Sequence, residues 1–393
     1  MKRFILLSTM FAVFAATMTG NSMTEKGDDQ KAGRMMVSTS NPKIAKQTKI
    51  QVAILLDTSS SMDGLIEQAK SRIWNIVNTL TTLKYNNRTP QIEIALYEYG
   101  NNGISTDDYI RQVAPLTTDL DLISQRLFAL TTWGGSEYCG AVINKAVRNL
   151  DWGKNAADMK LIYIAGNEPF TQGRISYKEA INNALEKNIY VNTIHCGNNK
   201  SGIDGMWRDG AIRGKGKYFN IDHNARVMHV DTPYDADIAR CNERLNSTYM
   251  AYGSAGLAYQ RNQVAQDQNA RTISSANYAE RALTKSKSAY KNESWDLVDK
   301  LSEDAAALEK IDKKDLPKEL QEKNKAEIAA EVKKKEAERK AIQKEMNELS
   351  KKRQAYIDEK TKSAGSGADD LGAAINTSIL EFANARGNVE DKK

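Results

Sequence analysis

The chain has 393 residues, of which 40% are hydrophobic and 27% are charged, and its formal net charge is +6. This length predicts two or three domains, and the hydrophobic fraction is sufficient for a buried core in part of the chain. The small positive charge, with Lys and Arg interleaved among Asp and Glu, argues against a nucleic-acid-binding protein.

The N-terminus is typical of a secretory signal peptide. Lys2 and Arg3 give it a positive start, residues 4–16 are apolar, and small and polar residues follow around 17–22. The apolar stretch is too short to span a membrane comfortably, so we expect cleavage, with an uncleaved anchor as the alternative. No later stretch is long and apolar enough to cross a bilayer. We therefore predict a signal peptide at 1–22 and a soluble mature protein that is periplasmic or secreted.

Residues 23–46 are polar and poor in aromatic side chains, which is typical of a linker. The globular part is expected to begin near Gln47. The three cysteines, Cys139, Cys196 and Cys241, are an odd number and lack the close spacing of a metal site. At most one disulfide can therefore form within the chain, and the cysteines carry no functional assignment.

The first predicted strand leads into a loop rich in side-chain oxygens. Residues 49–54 form a short apolar run, and residues 65–77 carry apolar side chains at helical spacing. Asp57, Ser59 and Ser61 therefore lie between a strand and a helix, where ligands bind in open α/β sheets. One carboxylate and two hydroxyls at alternate positions can converge, and oxygen ligands suit a hard cation such as Mg²⁺. A plain helix-capping loop is the alternative.

The pattern Asp57-x-Ser59-x-Ser61 after the first strand resembles the metal-ion-dependent adhesion site of von Willebrand factor type A domains. The resemblance implies a doubly wound α/β fold that binds a protein partner through a divalent cation. The ion would be Mg²⁺ or Mn²⁺, with one coordination position left for an acidic side chain of the partner. The resemblance extends over about residues 47–250.

The elements that follow continue a doubly wound pattern. The predicted strands are 91–99, an antiparallel edge strand at 109–116, 160–165, 188–197, and a final short strand region at 216–219 and 225–230. The predicted helices are 120–130, 141–150, 177–187, 207–213 and 235–252. Strands that alternate with helices in this way predict a mostly parallel sheet covered by helices on both faces. We therefore expect one α/β domain over residues 47–252.

A second polar loop precedes the predicted helix at 141–150. It contains Gly134, Gly135 and Ser136. In the family that the chain resembles, a Gly-x-Thr loop before a helix supplies a hydroxyl ligand, and Ser136 falls at that place. Glu137 adds a possible carboxylate. The alternative is that Ser136 only caps the helix.

The strand at 160–165 is followed by Gly166, Asn167 and Glu168. The family usually has Asp where this chain has Gly166, which is the main departure from its pattern. The resemblance therefore implies that Asn167 or Glu168 takes the place of that Asp, directly or through a water molecule. A missing carboxylate can also leave the ion more electrophilic towards an acidic ligand. The predicted metal ligands are Asp57, Ser59, Ser61, Ser136, Asn167 and Glu168.

Residues 253–393 differ in composition and predict a helical region. Residues 308–356 are dense in Lys, Glu and Ala, with loosely recurring apolar residues, which is typical of an amphipathic or coiled-coil-like helix. Residues 365–367, Gly-Ser-Gly, end it, and residues 371–385 predict a last amphipathic helix. A helical bundle that packs on itself or on a partner, with possible self-association, and a solvated stalk both fit this pattern.

Three classes of function follow, of which a metal-dependent, non-enzymatic binding protein is preferred. A metal-free assembly protein of the cell envelope, acting through its helical tail, is the alternative, and Gly166 favours it. A hydrolase is the least favoured class. His195 and Cys196 are adjacent on one strand and point to opposite faces, so they cannot easily form a nucleophile–base pair. The sequence also has no Gly-x-Ser-x-Gly or His-Glu-x-x-His motif. We therefore expect no catalytic residues, no organic cofactor and no enzymatic activity.

Overall fold

The computed structural model describes residues 47–364, 371–385 and 388–390, and the predicted signal peptide and linker lie outside them. The strands are β1 (Lys49–Asp57), β2 (Leu83–Tyr85), β3 (Gln91–Tyr99), β4 (Ile110–Thr117), β5 (Met159–Gly166), β6 (Tyr190–Cys196), β7 (Lys215–Ile221) and β8 (Asn388–Glu390). The helices of the α/β part are α1 (Asp63–Thr82), α2 (Leu120–Phe128), α3 (Cys139–Asn149), α4 (Tyr177–Glu186), α5 (Asn199–Asp204), α6 (Trp207–Arg213) and α7 (Asp235–Asn246). The later helices are α8 (Gly256–Ile273), α9 (Ser275–Lys285), α10 (Leu297–Glu303), α11 (Lys325–Ala364) and α12 (Leu371–Ala385). None of the helices in these ranges combines the length and the apolar character that a membrane span requires.

Six of the described strands form one sheet in the order β4-β3-β1-β5-β6-β7. Neighbouring strands are parallel except at the edge, where β4 is antiparallel to β3. The central strands β1 and β5 are buried along almost their whole length. Strands covered by helices on both faces read as continuous apolar runs, which is why the sequence shows no polar alternation there. The predicted doubly wound, mostly parallel sheet with an antiparallel edge strand is confirmed.

The side chains of successive residues of β1 pack into two different hydrophobic cores, one on each face of the sheet. Ile54 and Leu56 belong to the core shared with α1, whereas Ala53 and Leu55 belong to the core shared with α3 and α4. This segregation follows from the two-residue period of a strand, which sends neighbouring side chains to opposite faces. The layers hold β1 rigidly and so fix the position of the loop that follows Asp57.

The last helix, α12, lies in the α1 layer of the sheet. Ile375 and Ile379 are completely buried in the same core as residues of β1, β5 and α1. Ser378 Oγ donates a hydrogen bond to Asn192 Oδ1 of β6 at 2.8 Å. β8 then pairs with β2 antiparallel, with Leu83 opposite Glu390. The chain therefore returns to the α/β layers after the helices α8 to α11, although the sequence pattern had placed α12 in a separate helical region.

The long helix α11 packs against its own chain. Four of its apolar residues are at most 4% exposed: Ile328, Val332, Ile342 and Met346. The first two share a small core with α10, and the last two join the main core. The apolar seam that suggested a coiled coil is therefore buried within the chain, and a solvated stalk is wrong for this helix. Self-association stays a prediction.

The predicted helix at 235–252 is too long, because α7 ends at Asn246. The residues beyond it form tertiary hydrogen bonds: Met250 N donates to Asp296 Oδ1 at 2.7 Å, and Leu297 N donates to Met250 O at 2.8 Å. These bonds use backbone groups that a longer helix would have paired internally. Residues 225–230, predicted as a strand region, have no regular structure. Neither difference is visible in the local pattern, since the partners lie about fifty residues away or further.

Candidate metal site

The candidate site lies at the carboxyl edge of the sheet. Asp57, Tyr99 and Gly166 are the last residues of the neighbouring parallel strands β1, β3 and β5. Parallel strands end at the same edge, so the three loops that follow converge. The structure therefore brings together three stretches that are separated by up to about a hundred residues in the sequence.

The first loop carries the acidic end of the site. Asp57 and Ser59 are at most 1% exposed, and Asp57 Oδ1 accepts a hydrogen bond from Ser59 N at 2.8 Å. The Oγ atoms of Ser59 and Ser61 lie 3.3 Å apart. Neither the 3-10 turn at Ser60–Met62 nor α1 has a side-chain cap hydrogen bond. The helix-capping alternative for this loop is therefore wrong, and the three side chains are grouped as the sequence predicted.

The second loop brings Ser136 next to the first. Ser136 pairs with Gly100 in an antiparallel bridge just after β3, and Ser60 N donates to Gly134 O at 3.0 Å. α3 begins three residues after Ser136, and its N-cap residue is Tyr138, without a side-chain cap hydrogen bond. Ser136 is therefore not the cap of α3, and it lies beside the Asp57 loop.

Glu137 is the site residue that the sequence analysis undervalued. It is 3% exposed, and its Cγ and Asp57 Oδ1 lie on the same side of Gly100, 2.9 and 2.7 Å from the point where a Cβ on that glycine would be. Burial and the neighbouring Glu137 carboxyl raise the pKa of Asp57 well above its usual value. Burial also raises the pKa of Glu137. The glycine after β3 thus leaves room for two buried carboxyl groups, which the sequence does not show as neighbours.

The third loop contributes Asn167 and places Glu168 at the margin. Asn167 Nδ2 donates to Ser61 Oγ at 3.2 Å. Glu168 Oε2 instead accepts from Gln172 Nε2 at 3.1 Å, and its backbone oxygen accepts from Trp207 Nε1 at 2.8 Å. The structure thus connects Asn167 directly to the serine cluster, whereas the side chain of Glu168 is hydrogen-bonded to Gln172.

The donor atoms fit a hard divalent cation. Among the described residues, three buried side-chain oxygens at this edge have no hydrogen-bond partner: Asp57 Oδ2, Glu137 Oε2 and Asn167 Oδ1. Carboxylate, amide and hydroxyl oxygens are the ligands that Mg²⁺ takes, and it commonly keeps several waters besides one or two carboxylates. No group of three or more His, Cys, Asp or Glu side chains with metal-site geometry occurs in the described part of the chain. The unpartnered oxygens at this edge come from two carboxyl groups and one amide.

Tyr99 explains why Gly166 replaces the expected Asp. A Cβ on Gly166 would lie 2.5 Å from Tyr99 Oη and 3.1 Å from Asp57 Oδ2. Tyr99 Oη already donates to Ala165 O at 3.0 Å and is fully buried. The tyrosine hydroxyl thus occupies the space that any side chain at this position needs.

Restoring Asp at this position should destabilise the protein. We expect Gly166→Asp to lower the free energy of unfolding by about 1–3 kcal/mol, because a packed core has no room for added atoms. Tyr99→Phe removes the clashing oxygen, so the double variant should recover part of the loss. Urea unfolding of the wild type, both single variants and the double variant measures the coupling. If Gly166→Asp lowers the free energy of unfolding equally in the wild-type and in the Tyr99→Phe background, this explanation is contradicted.

His195 and Cys196 lie on opposite sides of β6. His195 is 1% exposed; its Nδ1 is 3.0 Å from Asn220 Oδ1, and its Nε2 is 3.2 Å from Asn167 O. Cys196 is buried in the core of the α1 layer. All three cysteines are buried and free, so no disulfide forms between them.

The model of the von Willebrand factor type A domain family matches residues 51–203. This segment runs from β1 into α5 and contains all six predicted ligands. Comparison with the curated proteins gave no match. The family match therefore covers the candidate site but not the helices from α6 onward.

Solved structures with some similarity include proteins from bacteria and from a mussel. BatB from Bacteroides thetaiotaomicron, described as a conserved hypothetical protein, is 20% identical over 49% of this chain and 95% of that chain, with a TM-score of 0.33. An aerotolerance-related membrane protein from Bacteroides fragilis is 17% identical over 44% of this chain and 93% of that chain, with a TM-score of 0.31. Proximal thread matrix protein 1 of the mussel byssus is 13% identical over 43% of this chain and 47% of that chain, with a TM-score of 0.32. That structure has zinc in its metal-ion-dependent adhesion site (MIDAS) motif.

Proposed function

Since residues 51–203 form a von Willebrand factor type A domain, we propose that this chain is an exported, non-enzymatic binding protein. Its type A domain holds a divalent cation, Mg²⁺ or Mn²⁺, and through the ion it holds an acidic side chain of a protein partner. The observation that carries the proposal is the set of buried, unpartnered oxygens of Asp57, Glu137 and Asn167 beside the hydroxyls of Ser59 and Ser61. Export rests on the signal-peptide pattern of residues 1–22.

Within the proposed site the residues have different tasks. Asp57, Ser59 and Ser61 hold the ion from the first loop, Ser136 from the second, and Asn167 from the third. Leaving such oxygens buried and unpaired is costly, and a cation at this point removes that cost. Glu137 adds a second carboxyl group at the same position, which strengthens the attraction for a cation.

The missing Asp at Gly166 favours an acidic partner. A bound divalent cation is the largest local charge in such a site and attracts carboxylates. Gly166 adds no carboxylate from β5, so that strand supplies no charge in addition to those of Asp57 and Glu137. An acidic side chain of the partner can then approach the ion from the solvent as a further ligand.

Trp133 lies beside the proposed site and faces the solvent. It is 67% exposed, whereas the other four tryptophans are at most 7% exposed. Its backbone N–H donates to Thr58 O at 3.0 Å, and its backbone carbonyl accepts from Asn102 N at 3.2 Å. Tryptophan is among the residues that contribute most to protein interfaces. We therefore include Trp133 in the surface that contacts the partner.

The absence of enzymatic activity is part of the proposal. A nucleophile needs a base within hydrogen-bond reach. The imidazole of His195 contacts Asn220 and the backbone of Asn167, and the thiol of Cys196 lies in the core on the other face of the sheet. This arrangement supports a structural histidine rather than a nucleophile–base pair.

Asp57→Asn should abolish cation binding without harming the fold. We expect saturable Mg²⁺ or Mn²⁺ binding to the wild type in calorimetry and no saturable heat for the variant. Without metal, the variant should be at least as stable as the wild type, because the amide removes one of two adjacent buried carboxyl groups and Asn Oδ1 can still accept from Ser59 N. Thermal unfolding with and without Mg²⁺ measures both effects.

The matched control is Asp204→Asn, since the side chain of Asp204 is 61% exposed. It should bind the cation as the wild type does. If the wild type itself binds neither cation, the proposal fails, and the metal-free alternative that acts through the helical region becomes the better hypothesis.

A further inference from the structure

A long groove lies between α11 on one side and the ends of α1 and α9 on the other, with a cavity volume of about 1100 Å³. The α11 residues that line it recur every three or four positions from Lys340 to Asp358, so they form one stripe along the helix. At 1.5 Å per residue this stripe is about 27 Å long. The groove meets α1 between Asn75 and Thr82, whereas the candidate metal site lies at the start of that helix. It is therefore a separate feature of the molecule.

The lining of the groove is polar and carries excess positive charge. The described residues that line it include six Lys or Arg residues and three Asp or Glu residues. Arg353 is neutralised by Asp235, with Nε and Oδ1 2.9 Å apart, and Lys351 lies 3.3 Å from Glu348. These pairs do not account for the whole excess, which is concentrated at two other lysines.

Lys287 and Lys344 are the cations for which the described residues show no ion pair. Lys287 Nζ donates to the neutral Asn347 Oδ1 at 3.3 Å. Lys287 is partly buried, and burial lowers the pKa of its ammonium group. A buried ammonium without a counter-charge is unfavourable, and an anion in the groove would compensate for it. Lys287 therefore points to an acidic occupant, and the exposed Lys344 adds a second positive charge to the same lining.

The size and the chemistry of the groove favour an extended peptide. Pockets for small molecules usually measure about 300–1,000 Å³, and this one is longer and larger. Amide side chains such as Gln343 and Asn347 can bond to peptide groups, and none of the described lining residues has an aromatic ring on which a sugar would stack. We propose that this groove binds an extended, carboxylate-rich segment of a protein partner, with Lys287 and Lys344 as the main charge contacts.

The proposal can be tested on the full-length mature chain with a dye-labelled octaglutamate peptide. Fluorescence anisotropy should show binding that weakens with salt, and octalysine should not bind. Lys344→Glu should weaken binding at least about fivefold, since it reverses a charge in the lining of the groove. Lys287→Met should weaken binding as well. Lys334→Glu makes the same charge change on α11 outside the lining and should alter the affinity less than about twofold.

Several outcomes would overturn the proposal. They are no binding of octaglutamate to the wild type, or equal binding by Lys344→Glu and Lys334→Glu. Binding of polyphosphate or of anionic lipid vesicles, with loss in Lys344→Glu but without octaglutamate binding, would assign the groove to phosphate groups instead. Circular dichroism of each variant confirms that a loss of binding is not a loss of fold. Because the probe needs no divalent cation, a failure here is distinguishable from a failure of the proposed metal site.

Discussion

Ile379→Ala in α12 should lower the free energy of unfolding by about 2–5 kcal/mol, the cost of removing a buried Ile side chain and leaving a cavity. Ile379 is fully buried, although it follows the type A match by more than 170 residues. It shares a core with Tyr163 of β5 and Trp74 of α1. The last helix therefore acts as a layer of the α/β domain and not as a tail.

Urea unfolding of purified Ile379→Ala and wild type measures this cost. The matched control is Ile212→Ala on α6, because Ile212 is 67% exposed and its truncation removes little buried surface. Equal unfolding midpoints for Ile379→Ala and Ile212→Ala would show that α12 does not stabilise the sheet. For the same reason, a chain that ends near Tyr252 should not fold to the native domain, since it lacks α12.

Arg281→Met should lower the free energy of unfolding by about 3–5 kcal/mol, because it leaves buried carboxylates without their partner. The Arg281 side chain is fully buried and contacts Asp121 Oδ1 at 2.7 Å and Asp267 Oδ1 at 2.9 Å. Its guanidinium lies 4.3 Å from the centre of the Trp74 ring. Asp121 belongs to α2 and Asp267 to α8, so one arginine of α9 joins the α/β layer to the added helices.

The control for this effect is Arg271→Met, because the Arg271 side chain is 47% exposed and lies 3.7 Å from Glu243. An exposed pair of this kind contributes at most about 1 kcal/mol. If Arg281→Met lowers the free energy of unfolding no more than Arg271→Met does, the role of Arg281 in joining the two sets of helices is contradicted.

The effect of Arg281→Met should also depend on pH. Burial by itself raises the pKa of Asp267, but the charges of Lys285 and Arg281 outweigh it and hold this pKa below its usual value. A carboxyl group with a lowered pKa stabilises the fold above its unfolded pKa, about 4, and loses that contribution as the pH falls. The difference between wild type and Arg281→Met should therefore be at its full size near pH 7 and narrow as the pH falls below about 4. Unfolding in urea at several pH values measures it.

Much of the α/β domain could be predicted from the sequence, because its determinants are local. Buried parallel strands give continuous apolar runs, and covered helices give a 3.6-residue period. The loop with Asp57, Ser59 and Ser61 was predictable because three ligand-type residues follow one strand within five positions. Its neighbour Ser136 was found only through the resemblance to a family, since no local pattern connects the two loops.

The tertiary structure alone decided three features that depend on distant residues. Glu137 meets Asp57 only because Gly100 leaves space between them, and Tyr99 excludes a side chain at Gly166. The assignment of α12 to the sheet required knowing which buried surface it covers, since its amphipathic pattern fits any partner. A sequence pattern fixes which face of an element is apolar, but the element that packs against that face is chosen by the free energy of the whole core. The sequence therefore determined which polar residues follow β1. Packing decided that Glu137 joins them, that Gly166 has no room for a side chain, and that α12 covers the sheet.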